Sequence, residues 1–145
     1  MILAASVDVH APADVVFEAA VDWSSQERWM PLTRVFVTGG DGRSLGTTVV
    51  ARTGLGRAAA VDPMVVDVWQ PPQRCEVQHK GSVVRGRGVF RVEVLGEGRS
   101  RFIWEEHLPE RGAYALVARL GAPLNRWFFS LAVRRFARWV EAERT

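Results

Sequence analysis

The sequence predicts an α+β fold in which a curved, seven-stranded antiparallel sheet packs against one long C-terminal helix. The chain has 145 residues, of which 48% are hydrophobic and 24% charged, as is typical of one globular domain. Valine-rich runs separated by short glycine or proline turns occupy its middle. Apolar residues at helical spacing occupy its end. We therefore expect residues 1–145 to form a single domain whose sheet buries its apolar face against the helix.

The start of the chain predicts one strand followed by two short helices. Residues 2–9 alternate between apolar and polar side chains, which favours a strand. Pro12 suits the first turn of a helix, where its missing N–H costs nothing. Ser24 and Glu27 have the spacing of a capping box, which predicts a second short helix that ends at Pro31.

Six more strands are predicted before Pro109. Glycine and proline turns at 39–42, 71–72 and 96–98 keep the connections short, so consecutive strands should pair as an antiparallel meander. The predicted strands cover 33–38, 46–53, 64–70, 74–80, 83–95 and 99–108.

Residues 113–143 predict a long amphipathic helix. Pro123 lacks a backbone donor, so the helix should begin or kink there, with 113–120 as a separate or bent segment. A sheet that curves round one helix rarely fills its own interior, which favours a cavity between the two. The expected apolar arc consists of Leu124, Phe128, Leu131, Ala132, Phe136, Trp139 and Val140.

Composition and charge predict where the protein is located and which partners it lacks. Cys75 has no second cysteine to pair with, and no apolar run approaches the ~18 residues of a membrane span. The first ten residues lack the basic start of a signal peptide, so a cytoplasmic location is expected, where a free thiol stays reduced. The net charge is +3, concentrated in 111–145. No zinc-ligand spacing or RNA-binding motif accompanies it, so no nucleic-acid partner is expected.

Neither a metal nor a cofactor is expected, because no cluster of metal ligands or cofactor motif stands out. The glycines of 54–56 and 86–88 lack the strand, loop and helix order of a phosphate loop. We interpret them as a turn and a strand bend. The oligomeric state is not predicted.

The segment HAPADVVFEAAVDWSSQERWMP, residues 10–31, resembles the opening motif of the START-like superfamily (SRPBCC, the helix-grip fold), in its bacterial polyketide cyclase/dehydrase and lipid-transport branch. The resemblance implies a helix-grip fold with an internal cavity, and a lid at 53–56. The superfamily includes aromatases, cyclases and lipid carriers, so it implies several functions. The likeness continues in TGLG at 53–56, DPMVVDVWQPPQRCEVQH at 62–79, VVRGRGVF at 83–90, RFIWEE at 101–106 and the arginine-rich last helix.

Strand alternation selects Glu106 and His79 as candidate catalytic residues. Glu106 shares one face of the last strand with Trp104, and a carboxylate in an apolar pocket could act as acid or base in an aldol cyclisation or dehydration. The alternative is a carboxylate paired with an arginine at the sheet end. His79, beside Val77, could polarise a ligand carbonyl or shuttle a proton. The alternative is a core histidine bonded to a backbone carbonyl, and Cys75 is expected to behave as a small hydrophobe.

Three functions remain open at this point. The first is binding of a lipid-like or polyketide-like molecule in the cavity, and the second is a cyclase, aromatase or dehydratase. The third is an interaction module in which Trp127 and Phe129 join Arg119, Arg126, Arg134 and Arg138 in weak contact with a membrane surface. The residues expected to line the cavity are Trp29, Val50, Met64, Val66, Val68, Val77, His79, Phe90, Val92, Phe102, Trp104, Glu106, Leu120, Leu124, Phe128 and Leu131.

Overall fold

The computed structural model describes residues 1–144 and contains the predicted sheet and C-terminal helix. A 3₁₀ segment, Trp23–Arg28, follows the first helix, and a 3₁₀ turn, Gly56–Ala58, precedes the fourth strand. The elements in chain order are β1 (Ile2–Val9), α1 (Ala13–Ala20), β2 (Thr33–Gly39), β3 (Thr48–Thr53), β4 (Ala60–Gln70), β5 (Arg74–His79), β6 (Arg87–Gly96), β7 (Arg99–His107) and α2 (Gly112–Glu143).

The sheet has seven strands in the order β1-β7-β6-β5-β4-β3-β2, and every neighbouring pair is antiparallel. The predicted meander from β2 to β7 is therefore confirmed. β1 pairs with β7 at the edge of the sheet opposite β2, so that Ala5 lies opposite Trp104. The first and last strands are thus neighbours, which places the start of the chain beside the candidate site.

The short helical elements differ from the prediction in two details. Pro12 immediately precedes α1 and its carbonyl accepts the N–H of Val16. The capping box predicted from Ser24 to Glu27 is wrong, because Asp22 precedes the 3₁₀ segment and its carboxylate accepts the hydroxyl of Ser25 at 2.9 Å.

The starts of two strands differ from the prediction by four residues. β4 begins at Ala60 and continues through Pro63. Pro63 has no backbone N–H to donate to the sheet, but its carbonyl still accepts the N–H of Lys80. β6 begins at Arg87, because Gly86 has a φ of +100°, which an extended strand does not allow.

α2 is continuous from Gly112 to Glu143 with Pro123 inside it, so the prediction that the helix begins at Pro123, or that 113–120 is separate, is wrong. Its protein-facing side in the first half carries small residues, such as Ala115, Gly121 and Ala122. Small side chains keep this half of the helix from filling the space above the sheet.

The hydrophobic core lies beneath the second half of α2 and centres on Trp29, which is fully buried. The Trp29 ring centroid lies 5.0 Å from that of Phe136, and the Phe102 centroid lies 4.3 Å from that of Phe136. Aromatic rings therefore fill one end of the space between sheet and helix, and the other end stays open.

Candidate functional site

A cavity of about 480 Å³ lies between the inner face of the sheet and the first half of α2. Its deep end is formed by buried side chains, including Cys75, Phe90 and Trp104. Val83 and Val117 line it as well and are exposed to solvent, so they mark its mouth. A volume of this size is within the range of small-molecule sites in proteins.

The structure divides the sixteen residues expected to line the cavity into several groups. Four of them lie on the inner side of the fold but pack in the core without reaching the cavity: Trp29, Val66, Val92 and Phe102. The seven residues found in the cavity wall are Met64, Val77, His79, Phe90, Trp104, Glu106 and Phe128.

Five other expected residues lie elsewhere, each for a local reason. Val50 neighbours the fully buried Val49 on β3 and faces the opposite side of the sheet. Val68 follows a β-bulge between Val66 and Val68, which reverses the alternation so that Trp69 packs against the core instead.

The remaining misplaced residues lie on α2, where the predicted apolar arc is rotated. Leu120 and Leu124 are 76% and 70% exposed, and Leu131 is half-buried without lining the cavity. Phe129, expected on the outer surface, lines the cavity instead, with its ring centroid 4.3 Å from that of Trp104. The prediction followed the larger apolar side chains, whereas the helix turns its small ones towards the protein.

Asp62, His79 and Glu106 form a hydrogen-bonded cluster in the cavity wall. The imidazole Nδ1 of His79 lies 2.9 Å from Oδ1 of Asp62, and its Nε2 lies 2.8 Å from Oε2 of Glu106. The indole N–H of Trp104 donates to the other oxygen of Glu106 at 3.1 Å. The His79 side chain is almost completely buried and both carboxylates nearly so. The cluster therefore joins three strands, β4, β5 and β7, at one point of the wall.

Glycine in β6 makes the contact between His79 and Glu106 possible. β6 lies between β5 and β7, and Gly88 faces Val77 on one side and Glu106 on the other. A Cβ atom at Gly88 would lie 3.0 Å from Cγ2 of Val77 and 3.1 Å from Oε1 of Glu106. At Gly86 it would lie 1.9 Å from the carbonyl oxygen of His107. Gly88 therefore leaves the inner face of β6 open at this point, so side chains from the neighbouring strands meet across it, and Gly86 allows the backbone to pass close to His107.

The two carboxylates keep His79 protonated. Burial by itself would lower the pKa of His79, but the hydrogen bonds to Asp62 and Glu106 and the charges of both carboxylates outweigh it and raise that pKa to about 10. Both ring nitrogens then donate, one to each carboxylate. The predicted alternative, a bond from His79 to a backbone carbonyl, is wrong.

Neighbouring glutamates on β7 have different partners on opposite faces of the sheet. Glu105 accepts from Arg91 at 2.7 Å and from His107 at 2.9 Å. Burial would raise the pKa of Glu105, but the bonds from Arg91 and His107 outweigh it and lower that pKa. The arginine pairing considered for Glu106 therefore belongs to Glu105, and Glu106 faces the cavity.

Cys75 lies in the deep wall of the cavity. Burial, followed by the charges of Glu76 and Asp67, raises the pKa of its thiol to about 12. The thiol is protonated at neutral pH and behaves as a small apolar group, as predicted.

The loop expected to act as a lid does not cover the cavity. Thr53 and Ala60 line it, whereas Leu55 points into solvent and the glycines beside it are not part of the wall. Within residues 1–144, no three His, Cys, Asp or Glu side chains are arranged to hold a metal ion. In the Asp62 cluster both nitrogens of His79 are already engaged, so no imidazole lone pair is free for a metal.

Asp62 is the charged residue of the site that sequence analysis missed. The strand was predicted to begin at residue 64, so the alternation of faces was not followed back to residue 62. Alternation over the full strand puts residue 62 on the same face as Met64, and Met64 pairs directly with His79. A strand begun at Ala60 would have revealed Asp62.

The antiparallel sheet, the long C-terminal helix and the cavity between them define a protein of the helix-grip class. Within this class the chain belongs to the family described as polyketide cyclase / dehydrase and lipid transport, whose profile matches residues 2–143. The family and the fold expected from the sequence are thus confirmed.

Solved structures share the fold at low sequence identity. A protein from Thermus thermophilus superposes with a TM-score of 0.79 at 14% identity, over 100% of both chains. The Zhui aromatase/cyclase from Streptomyces sp. R1128 has a TM-score of 0.65 at 17% identity, over 98% of this chain and 89% of that one. At these identities the likeness shows the fold alone.

A third similar structure is the di-domain ARO/CYC BexL of the BE-7585A biosynthetic pathway, with a TM-score of 0.74 at 15% identity. The match covers 97% of this chain and 47% of that protein, so this chain spans about half its length. No curated protein matches the sequence.

Proposed function

We propose that the protein binds a hydrophobic small molecule in its cavity, with a polar group of the ligand against the Asp62, His79 and Glu106 cluster. The observation that carries the proposal is one charged cluster in an otherwise largely apolar wall. Apolar surface supplies affinity, and a few placed polar groups orient the ligand.

The free thiol of Cys75 supports a reducing location such as the cytoplasm.

The test uses 2-naphthol, a neutral molecule with two apolar rings and one hydroxyl. Isothermal titration calorimetry should show one site per chain. Ala118 lines the cavity from α2, so Ala118→Trp should fill the space and abolish binding, whereas Ala142→Trp, at an exposed position of the same helix, should not. Equal binding by both variants would place the naphthol outside the cavity and contradict the proposal.

The same cluster favours a second candidate, acid and base catalysis of a dehydration. The Glu106 carboxylate would remove the proton α to a carbonyl, which weakens its bond from the Nε2–H of His79, and that N–H would then protonate the leaving β-hydroxyl. The C–O bond breaks, a C=C bond forms and water leaves. Return of the proton from Glu106 to His79 along their 2.8 Å hydrogen bond restores the starting state.

A suitable probe is 4-hydroxy-4-(2-naphthyl)butan-2-one, whose dehydration gives a conjugated enone that absorbs in the near ultraviolet. Loss of an acid or base group usually costs about 10²–10⁴ in rate, so Glu106→Gln should bring the rate close to that of buffer. Glu105→Gln, on the opposite face, should leave it unchanged. Wild-type protein that gives no acceleration over buffer would reject this candidate and leave binding in place.

The outer face of α2 supports a contact with an anionic membrane surface. Leu116, Leu120, Leu124 and Trp127 are all exposed and lie at helical spacing on one side of the helix. The arginines named above, at 119, 126, 134 and 138, are exposed as well, and residues 112–140 contain no acidic side chain. Apolar groups flanked by cations suit a membrane with anionic headgroups. These exposed apolar residues lie next to Val117, which is at the cavity mouth.

Co-sedimentation at low salt with vesicles containing phosphatidylglycerol tests this contact, since screening weakens it at high salt. The double variant Leu120→Ser and Leu124→Ser should reduce the bound fraction. Leu45→Ser is the control, because Leu45 is also well exposed but lies between β2 and β3. Absence of binding by the wild type, or equal loss in both variants, would contradict the membrane contact.

A further inference from the structure

The cavity wall contains carboxylates but no arginine or lysine. The chain has 19 basic residues, yet none of them lies among the described residues that line the cavity. The charged groups of the wall are Asp62, His79 and Glu106, and the two carboxylates stabilise the protonated form of His79. Two carboxylates and one imidazolium leave a formal charge of −1 inside the cavity.

The cluster also offers acceptors and few donors. Both ring N–H groups of His79 are directed at carboxylates, and the indole N–H of Trp104 is bonded to Glu106. The carboxylate oxygens keep lone pairs that are not used by these bonds, since each oxygen can accept more than once. A ligand group that meets this part of the wall must therefore donate a hydrogen bond.

The remaining polar groups of the wall do not offset the charge. Asn125 and Tyr114 on α2, and Thr33 and Thr53 at the other side, are uncharged. A ligand carboxylate would lose its hydration on entry and would meet a negative charge with no cation to replace the lost water. An alcohol, a phenol or an ammonium group would meet oxygen acceptors instead.

On the basis of the proposed function, we propose that this cavity selects hydrophobic molecules with a hydroxyl or ammonium donor and rejects those that carry a carboxylate, including free fatty acids. Selection arises at the Asp62, His79 and Glu106 cluster, where the ligand donates to an oxygen of Asp62 or Glu106. The apolar wall, including Phe90 and Phe128, accepts the rest of the molecule without regard to its charge.

Three probes with the same ring system separate charge from shape: 2-naphthol, 2-naphthylmethylammonium and 2-naphthoate. Calorimetry at pH 7.5 should give affinities for the first two that exceed that for 2-naphthoate by about tenfold or more. Equal or tighter binding of 2-naphthoate would overturn the charge selection and leave the proposed function standing. If none of the three binds, the proposed function and the selection fail together.

Charge variants test whether the cluster is the cause. Glu106→Gln brings the formal charge of the cluster to zero, so 2-naphthoate should gain affinity and the ammonium probe should lose it. Asp62→Asn should change the preference in the same direction, which keeps the test decisive if one variant does not fold. Glu105→Gln, one residue away on the opposite face, should leave the order of affinities unchanged. An unchanged preference in both cluster variants would overturn the inference.

Discussion

His79 and Glu106 are 27 residues apart in the chain and lie on strands that are not neighbours, yet Nε2 of His79 lies 2.8 Å from Oε2 of Glu106. The bond passes over Gly88 of the intervening strand, where no side chain stands between them. Together with Asp62 it produces a buried imidazolium between two carboxylates. The titration of His79, the pH dependence of stability and the charge of the cavity follow from that relationship.

The pH dependence of stability should reflect His79. The folded pKa of about 10 exceeds the ordinary value of 6.5, so the stabilisation is complete below about pH 6.5 and is lost as the pH rises towards 10. The free energy of unfolding should fall with a slope that approaches about 1.4 kcal/mol per pH unit. Urea denaturation between pH 6.5 and 8 measures it, a range below the ordinary thiol pKa of 9.0 near which Cys75 begins to contribute. The slope should disappear in His79→Gln and persist in His107→Gln, and a flat wild-type profile would contradict the assignment.

Replacement of one carboxylate should lower the pKa of His79. Loss of a nearby opposite charge typically shifts a pKa by about one unit or more, so Glu106→Gln should bring the His79 titration closer to neutrality. NMR titration of the imidazole resonances measures it directly. Glu105→Gln is the matched control, since Glu105 bonds His107 and not His79. The same shift in both variants would mean that His79 responds to overall charge rather than to Glu106.

A methyl group at Gly88 should disturb the cluster. The new Cβ would lie 3.1 Å from Oε1 of Glu106, closer than ordinary packing, so the carboxylate must move away from His79 or Trp104. Gly88→Ala should therefore lower the pKa of His79 in the NMR titration. Gly96→Ala, in the same strand with open space around it, should have no effect. An unchanged titration in Gly88→Ala would show that the two side chains do not need the open face.

The thiol of Cys75 should be unreactive in the folded protein. Burial raises its pKa to about 12, and the thiolate is the reactive form. Ellman's reagent at pH 8 should label the native protein far more slowly than the protein in denaturant, where the thiol is exposed. Rapid labelling of the native protein would mean that the deep wall of the cavity opens readily to solvent.

Trp29 and Trp127 should contribute very differently to stability. Trp29 is fully buried against Phe102 and Phe136, whereas Trp127 is 59% exposed. Trp29→Ala should cost about 3–5 kcal/mol in the free energy of unfolding, because the core cannot close the space left behind. Trp127→Ala should stay within about 0.5 kcal/mol. Chemical denaturation of the two variants measures both, and similar costs would contradict the position of the core.

Local patterns predicted the elements better than they predicted which face of each element is buried. The seven strands and the C-terminal helix follow from alternation, turn residues and helical spacing, all of which act over a few neighbouring residues. The errors arise where one residue changes the phase. A β-bulge before Val68 reverses the face to which the following side chains of that strand point. On α2, small residues face the cavity, so the large Leu120 and Leu124 point outwards.

The sequence by itself determined the class of fold, the antiparallel order of the strands and the fact that Glu105 and Glu106 point to opposite faces, since each depends on local chain geometry. Only the tertiary structure decided that Glu106 meets His79 and Asp62. That contact depends on the register of four strands, from β4 to β7, and on the absence of a side chain at Gly88 between them. The charge of the cavity, and hence the ligand it should accept, arises from this long-range packing.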